Sequence, residues 1–280
     1  MRDIQATAIT NAVAELCKTA NFELGDDVYD ALKRGAQTEE SPVGRDVFEQ
    51  LVENADIARE EQVPMCQDTG FAVIFVELGQ DAHVTGGSLA DAINAGVAKG
   101  YSEGCLRKSI VAHPLDRKNT GDNTPAVIHT EVVGGDRLKI TVAPKGGGSE
   151  NMSGVRMLKP SDGVEGVKKF VVELVKAAGS NPCPPIIVGV GIGGTMDKAA
   201  VLAKKALLRE IGEHNPNPAD AQLEDELLKL VNDTGVGPAG LGGRITALAV
   251  NVETYPCHIA SLPVAVNIQC HAARHKEAIL

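Results

Sequence analysis

The chain has 280 residues, and 37 acidic against 27 basic side chains leave it a formal net charge of −10. That balance and the lack of a basic run argue against nucleic acid as a partner; they do not argue against an anionic small molecule, because a buried site answers to its local charges. No run approaches the roughly 18 apolar residues needed to cross a bilayer, and the N-terminus lacks an apolar leader, so the six cysteines read as reduced thiols of a cytoplasmic protein rather than a disulfide framework.

Ile4, Ala8, Ile9, Ala12, Val13, Leu16, Cys17 and Ala20 recur at helical spacing and predict an opening amphipathic helix with Cys17 on its packing stripe. A second helix is expected over Asp27–Arg34, and a third after the start signal Ser41-Pro42, carrying Val43, Phe48, Leu51 and Ile57. Phe71–Val76 reads as a buried strand and Ser88–Tyr101 as a helix. Ala126–Val133 and Arg137–Val142 flank Gly134-Gly135-Asp136, which predicts a hairpin. The second half alternates: helix Val164–Ala178, strand Pro185–Val190, helix Met196–Ile211, the breaker Asn215-Pro216-Asn217-Pro218, and helix Ala219–Asn232. Strands Ile245–Val252 and Ser261–Ile268 close the series. The expected class is mixed α/β (α+β), with helices first, a central hairpin and later strand–helix alternation. One domain over residues 1–280, or two closely packed lobes, accommodates the length.

Gly189-Val190-Gly191-Ile192-Gly193-Gly194 fits the dinucleotide-binding spacing after a strand and before a helix. No second strand ending in Asp or Glu follows at the expected distance, so compact helix–strand packing is the favoured reading over a nicotinamide site. Lys145-Gly146-Gly147-Gly148-Ser149-Glu150-Asn151 follows a strand and offers close backbone N–H groups beside a cation, a modest anion-binding signal.

Three cysteines sit at loop signals: Pro64-Met65-Cys66-Gln67-Asp68-Thr69-Gly70, Asn181-Pro182-Cys183-Pro184-Pro185 and Asn267-Ile268-Gln269-Cys270-His271. They are far apart in sequence, so a shared role requires the tertiary fold to gather them, and three distant thiols without a local knuckle are unlike structural zinc. Cys257 beside Pro256 competes for such a role. His258 stands out next to it, although a lone histidine is more often a structural hydrogen-bonder.

Taken together, the Cys66–Gly70 motif, the Lys145–Asn151 loop, Cys183-Pro184-Pro185 with the glycines from Gly189 to Gly194, and Cys270 resemble the class I fumarase/tartrate dehydratase family of iron–sulfur hydro-lyases. The resemblance implies a [4Fe–4S] cluster held by Cys66, Cys183 and Cys270, with one iron lacking a protein thiolate and open to a dicarboxylate substrate. It further implies that Gln67 and Asp68 fall in the substrate-contacting motif, that Arg107 grips a substrate carboxylate, that Gly147 and Gly148 lend backbone donors, and that His258 is an active-site histidine. Asp68 and His258 are the expected catalytic groups. The chain stops ten residues past Cys270, where single-chain members continue into a second domain; the resemblance therefore implies a separate β subunit and a higher oligomer such as a dimer of αβ pairs. Fumarate hydratase, as in the citric acid cycle, is the expected activity. L(+)-tartrate dehydratase is the same-class alternative, and a non-enzymatic iron–sulfur sensor or carrier the alternative of another class.

Overall fold

The computed structural model describes residues 2–280 and runs in the order β1 (Arg2–Gln5), α1 (Ala6–Phe22), α2 (Asp26–Thr38), α3 (Pro42–Glu61), β2 (Phe71–Gly79), β3 (Ala82–Thr85) and α4 (Leu89–Glu103). It continues through β4 (Val127–Val133), β5 (Leu138–Lys145), the single turn α5 (Gly147–Glu150), β6 (Gly154–Leu158), α6 (Gly163–Ala178) and β7 (Ile186–Gly193). Last come α7 (Met196–Ala206), α8 (Pro218–Asn232), β8 (Ala247–Tyr255), β9 (Leu262–Gln269) and β10 (Lys276–Ile279). This is a mixed α/β architecture. It divides into two compact units, residues 2–24, 55–147 and 274–280 forming the first and residues 25–54 and 148–273 the second. No helix among the described residues is long and apolar enough to cross a membrane.

In the first unit a four-stranded sheet has the order β10-β5-β2-β4, and β1 pairs in parallel with β3 as a separate ribbon. Ile4, read as the start of the helical stripe, thus lies in β1, and α1 begins at Ala6. Helices α1 and α4 cover the sheet with Ile9, Val13, Leu16, Ile93 and Val97 against Ile74, Ile140 and Val142. They pack close because Gly96 and Gly100 of α4 leave no room for a side chain: a Cβ at either would stand 2.7 Å and 2.6 Å from the carbonyls of Thr10 and Ala14. Ser88 caps α4 by accepting from the amide of Asp91.

The expected hairpin is not formed. β4 pairs in parallel with one edge of β2 and β5 antiparallel with the other, so β2 lies between the two strands that Gly134–Asp136 joins. The end of β2 takes up the hydrogen bonds a tight turn would have closed: Gly79 N donates to Arg137 O, and Gln80 N to Val133 O. A strand as apolar as Phe71–Val76 belongs in a sheet interior, where both edges are paired, and that preference outweighs the local turn signal.

The second unit has the sheet order β6-β9-β7-β8, with β7 and β8 parallel and the other pairs antiparallel. Side chains alternate across a strand, so Ile186, Val188 and Val190 of β7 face the core shared with α6 and α8, alongside Val266 and Ile268 of β9. Gly189 and Gly191 fall on the opposite face, where α7 lies against the strand: a Cβ at these positions would come within 2.0 Å of Ala203 O and 2.1 Å of Ala199 O. Gly194 lies in the bend before α7, while Gly189 and Gly191 sit within the strand and admit a helix backbone. They do not form a phosphate-binding turn. In the same unit, the carboxylate of buried Glu39 accepts from the amides of Ser41, Arg244 and Ile245 and fastens the loop before β8.

Candidate active site

In the first unit the Cys66–Gly70 turn links α3 to β2 and is anchored on both sides. Before it, Met65 is buried and its amide donates to Asn21 O at the end of α1. After it, the Tyr101 hydroxyl, buried on α4, is shared between the carbonyls of Thr69 (2.8 Å) and Gly70 (3.0 Å). Asn123 Nδ2 donates to Gly70 O as well, while its Oδ1 accepts from Ser109 N. Gly70 has φ +75°, and a Cβ there would press on the Lys145 backbone at 2.7 Å, so glycine is required on both counts.

Between these anchors Cys66 is half-buried and Gln67 exposed, with Cys66 Sγ 3.3 Å from Gln67 Oε1. The Asp68 carboxylate accepts from Gly70 N at 3.0 Å through Oδ1 and from Gly147 N at 2.8 Å through Oδ2. Two residues expected to serve a substrate separately, Asp68 and Gly147, are bonded to each other, and the carboxylate links the cysteine turn to the glycine loop. Arg107 is exposed, and its carbonyl accepts from Thr69 Oγ1 at 3.2 Å, which holds its backbone beside the same turn. Cys66, Gln67, Asp68, Arg107 and Gly147 thus belong to one neighbourhood of the first unit.

The remaining candidates belong to the second unit. Pairing of Ile187 with Gln269 puts Cys270 beside the start of β7, the end from which the Cys183 loop departs. His271 confirms the proximity: its amide reaches Cys183 O at 3.5 Å and its Nδ1 lies 3.0 Å from the same oxygen. A carbonyl only accepts, so Nδ1 of His271 carries the proton. Cys183 itself is exposed, with φ +54° in the left-handed region, and its amide donates to Ser180 O. Gly148 is exposed at the head of α5.

His258 occupies the loop after β8, exposed, and lines an open cavity of 570 Å³ with Met157, Thr195, Lys198, Tyr255 and Cys257. Its Nδ1 accepts from Ala260 N at 3.1 Å, so in the neutral ring the proton sits on Nε2. His258 therefore presents a hydrogen-bond donor outward, not a basic nitrogen.

None of the cysteines among the described residues is in a disulfide. Cys17 differs from the loop cysteines: fully buried on α1, its thiol is pushed up to about 12 by burial and stays protonated. Cys66, Cys183 and Cys270 are half-buried or exposed in loops, and their thiols are soft donors of the kind suited to iron. Among the described residues no group of three or more His, Cys, Asp or Glu is placed to hold a metal ion. That arrangement describes one ion taken by several side chains. A cluster places its thiolates on separate irons, and thiolates of accessible cysteines are the donors such clusters use.

The fold and these loops define a mixed α/β protein whose accessible cysteines lie in loops, outside both cores. The chain matches the fumarate hydratase (Fumerase) family over residues 10–279 and belongs to it, the class I fumarate hydratase family of hydro-lyases. It is 46% identical over 272 residues, 95% of each chain, to a Methanocaldococcus jannaschii protein named "Putative L(+)-tartrate dehydratase subunit alpha". It is 36% identical over 270 residues to L(+)-tartrate dehydratase subunit alpha of Escherichia coli (strain K12), covering 95% of this chain and 88% of that one.

Sequence reasoning missed Tyr101, Asn123 and Arg274, all buried around the Cys66 turn. Tyr101 had a signal, a polar tip at the end of an apolar helix stripe. Asn123 had only the turn composition of Gly121–Pro125, and Arg274 had none.

Proposed function

We propose that this chain is the α subunit of a two-chain, [4Fe–4S]-dependent fumarate hydratase that interconverts fumarate and L-malate in the cytoplasm, with Cys66, Cys183 and Cys270 as ligands to three irons. The observation that carries the reading is the family match, which spans all three cysteines and every other candidate residue. When bound, the cluster supplies a Lewis-acidic iron without a protein thiolate, suited to polarising a carbon–oxygen bond.

Arg107 grips a substrate carboxylate, a task for which an exposed, planar guanidinium with paired donors is well suited. Gln67, beside Cys66, contributes a side-chain amide to the same dicarboxylate. Asp68, engaged by the amides of Gly70 and Gly147, holds the glycine loop to the cysteine turn, and Gly148 adds a backbone donor. His258 donates through Nε2 to a substrate oxygen; because Ala260 N occupies its Nδ1, it acts in this form as a donor and not as the base. The base comes from a β subunit, a partner that the relatives' designation as alpha subunits supports, in an assembly such as a dimer of αβ pairs.

A second reading, L(+)-tartrate dehydratase, is favoured by the names of those relatives. The two acids differ by one hydroxyl, and turnover decides between them. Anaerobic reconstitution with iron and sulfide, together with the β chain, should give visible cluster absorbance and malate formation from fumarate. Turnover of L(+)-tartrate alone would install the second reading. Cluster without hydration of either acid would instead make the protein a sensor or carrier.

A further inference from the structure

Arg274 has no part in the site as described so far. It follows Cys270 closely in sequence, opens the last segment of the first unit and leads into β10. Only 4% of it is exposed. Its Nη2 donates to the main-chain oxygen of Asp68 at 2.5 Å, while Nε and Nη1 have no hydrogen-bond partner among the described residues.

Buried guanidinium groups are ordinarily matched by a carboxylate, because an unpaired interior charge and orphaned donors are both destabilising. Here the single acceptor is a neutral carbonyl, and that carbonyl belongs to the cysteine turn. A leucine or methionine would fill the same volume at less cost. What the arginine adds is a rigid, charged donor held against one peptide.

That peptide is a pivotal one. The Asp68 carboxylate is fixed by Gly70 N and Gly147 N, and Thr69 and Gly70 are fixed by Tyr101 and Asn123. All of these bonds act on the outer end of the turn or on the Asp68 side chain. Arg274 acts on the main chain between the two ends of the turn, at the carbonyl of the residue that follows Gln67.

We propose that Arg274 is the positioning residue of this turn: by holding the Asp68 carbonyl from the buried side, it sets the direction in which Cys66 and Gln67 project. The proposal deepens, and in its catalytic consequence rests on, the reading of Cys66 as an iron ligand and Gln67 as a substrate contact. Its geometric content concerns the chain alone.

The test uses the full chain, kept anaerobic and without iron, and measures the iodoacetamide alkylation rate of each cysteine by mass spectrometry. Arg274→Gln should change the rate at Cys66 at least five-fold, leave Cys257 within two-fold, and leave Cys17 protected. Arg274→Lys, which keeps the charge and one donor, should fall between wild type and Arg274→Gln. A Cys66 rate unchanged in both variants overturns the proposal. So does a parallel rise at every cysteine including Cys17, because that marks a general contribution to folding. In the reconstituted protein with its β chain, Arg274→Gln should release iron to a chelator at least ten-fold faster than wild type, and equal rates would count against it. Should the wild type take up no cluster, the proposed function fails while the alkylation result still decides the role of Arg274.

Discussion

Gly189→Ala is the substitution that most directly tests how the glycine-rich strand is used. An alanine Cβ would stand 2.0 Å from Ala203 O, whereas ordinary contact begins at 3.4 Å. Helix α7 would have to retreat by roughly 1.4 Å, opening gaps along Ala199 and Ala203 and straining the alternation that gives α7 one face of β7. Gly189 is not in the left-handed region, so the effect is packing and not backbone conformation. Overpacking of this kind costs about 3 kcal/mol at the upper end of its usual range. For a chain of this size that corresponds to a Tm lower by about 6–12 °C. Thermal unfolding followed by circular dichroism measures it. Gly134→Ala is the control, because nothing lies within 4 Å of its Cβ position; it should shift stability by no more than about 0.5 kcal/mol. A Gly189→Ala melt within about 1 °C of wild type would refute the packing account, and saturable NADH binding to the wild type would restore the dinucleotide reading.

Replacing Cys66, Cys183 or Cys270 with Ser should abolish cluster absorbance after reconstitution, while Cys17→Ser retains it; loss of absorbance with Cys17→Ser and not with the others would reverse the ligand assignment. Asp68→Asn should be worse than its size implies, because an amide NH2 would face the N–H of Gly70 or Gly147; about 1–3 kcal/mol of destabilisation is expected by urea unfolding. For Glu39, burial alone would raise the pKa, but the amides of Ser41, Arg244, Ile245 and Glu40 outweigh it and hold the carboxyl below the ordinary glutamate range. Its stabilisation is accordingly complete above the unfolded-state pKa and is lost as pH falls through the lower folded value. Glu39→Gln should flatten that part of the acid limb in a stability–pH series, and an unchanged limb would exclude the linkage.

The helices were legible because their signals are local: Ser41-Pro42 starts α3, Ser88 caps α4, and the Pro/Asn breaker precedes α8. The course of β2 between β4 and β5 was not, since two strands and a Gly-Gly-Asp turn look the same whether or not a third strand separates them. The short strands β1, β3, β6 and β10 are too brief and too exposed to carry an alternation that stands out from loop sequence. Within the candidate site, Cys66-Gln67-Asp68 announced itself as a motif. What a motif cannot express is a bond formed at long range: Asp68 turns out to be held by Gly147 and Arg274, and neither partner is adjacent to it in sequence. His258 shows the same limit more finely, because its tautomer is set by a backbone amide two residues away.

The first unit is built from three separate stretches of chain, the last being residues 274–280. On a ribosome that stretch emerges after the whole of the second unit. Until then the first sheet lacks its β10 edge and the Cys66 turn lacks the Arg274 bond, although Cys66 was made long before. The second unit, whose final residue is Ala273, can form during that interval while the first waits open. Completion of the first unit thus waits on a stretch made after the whole of the second, and only then does the cysteine turn gain its bond to Arg274.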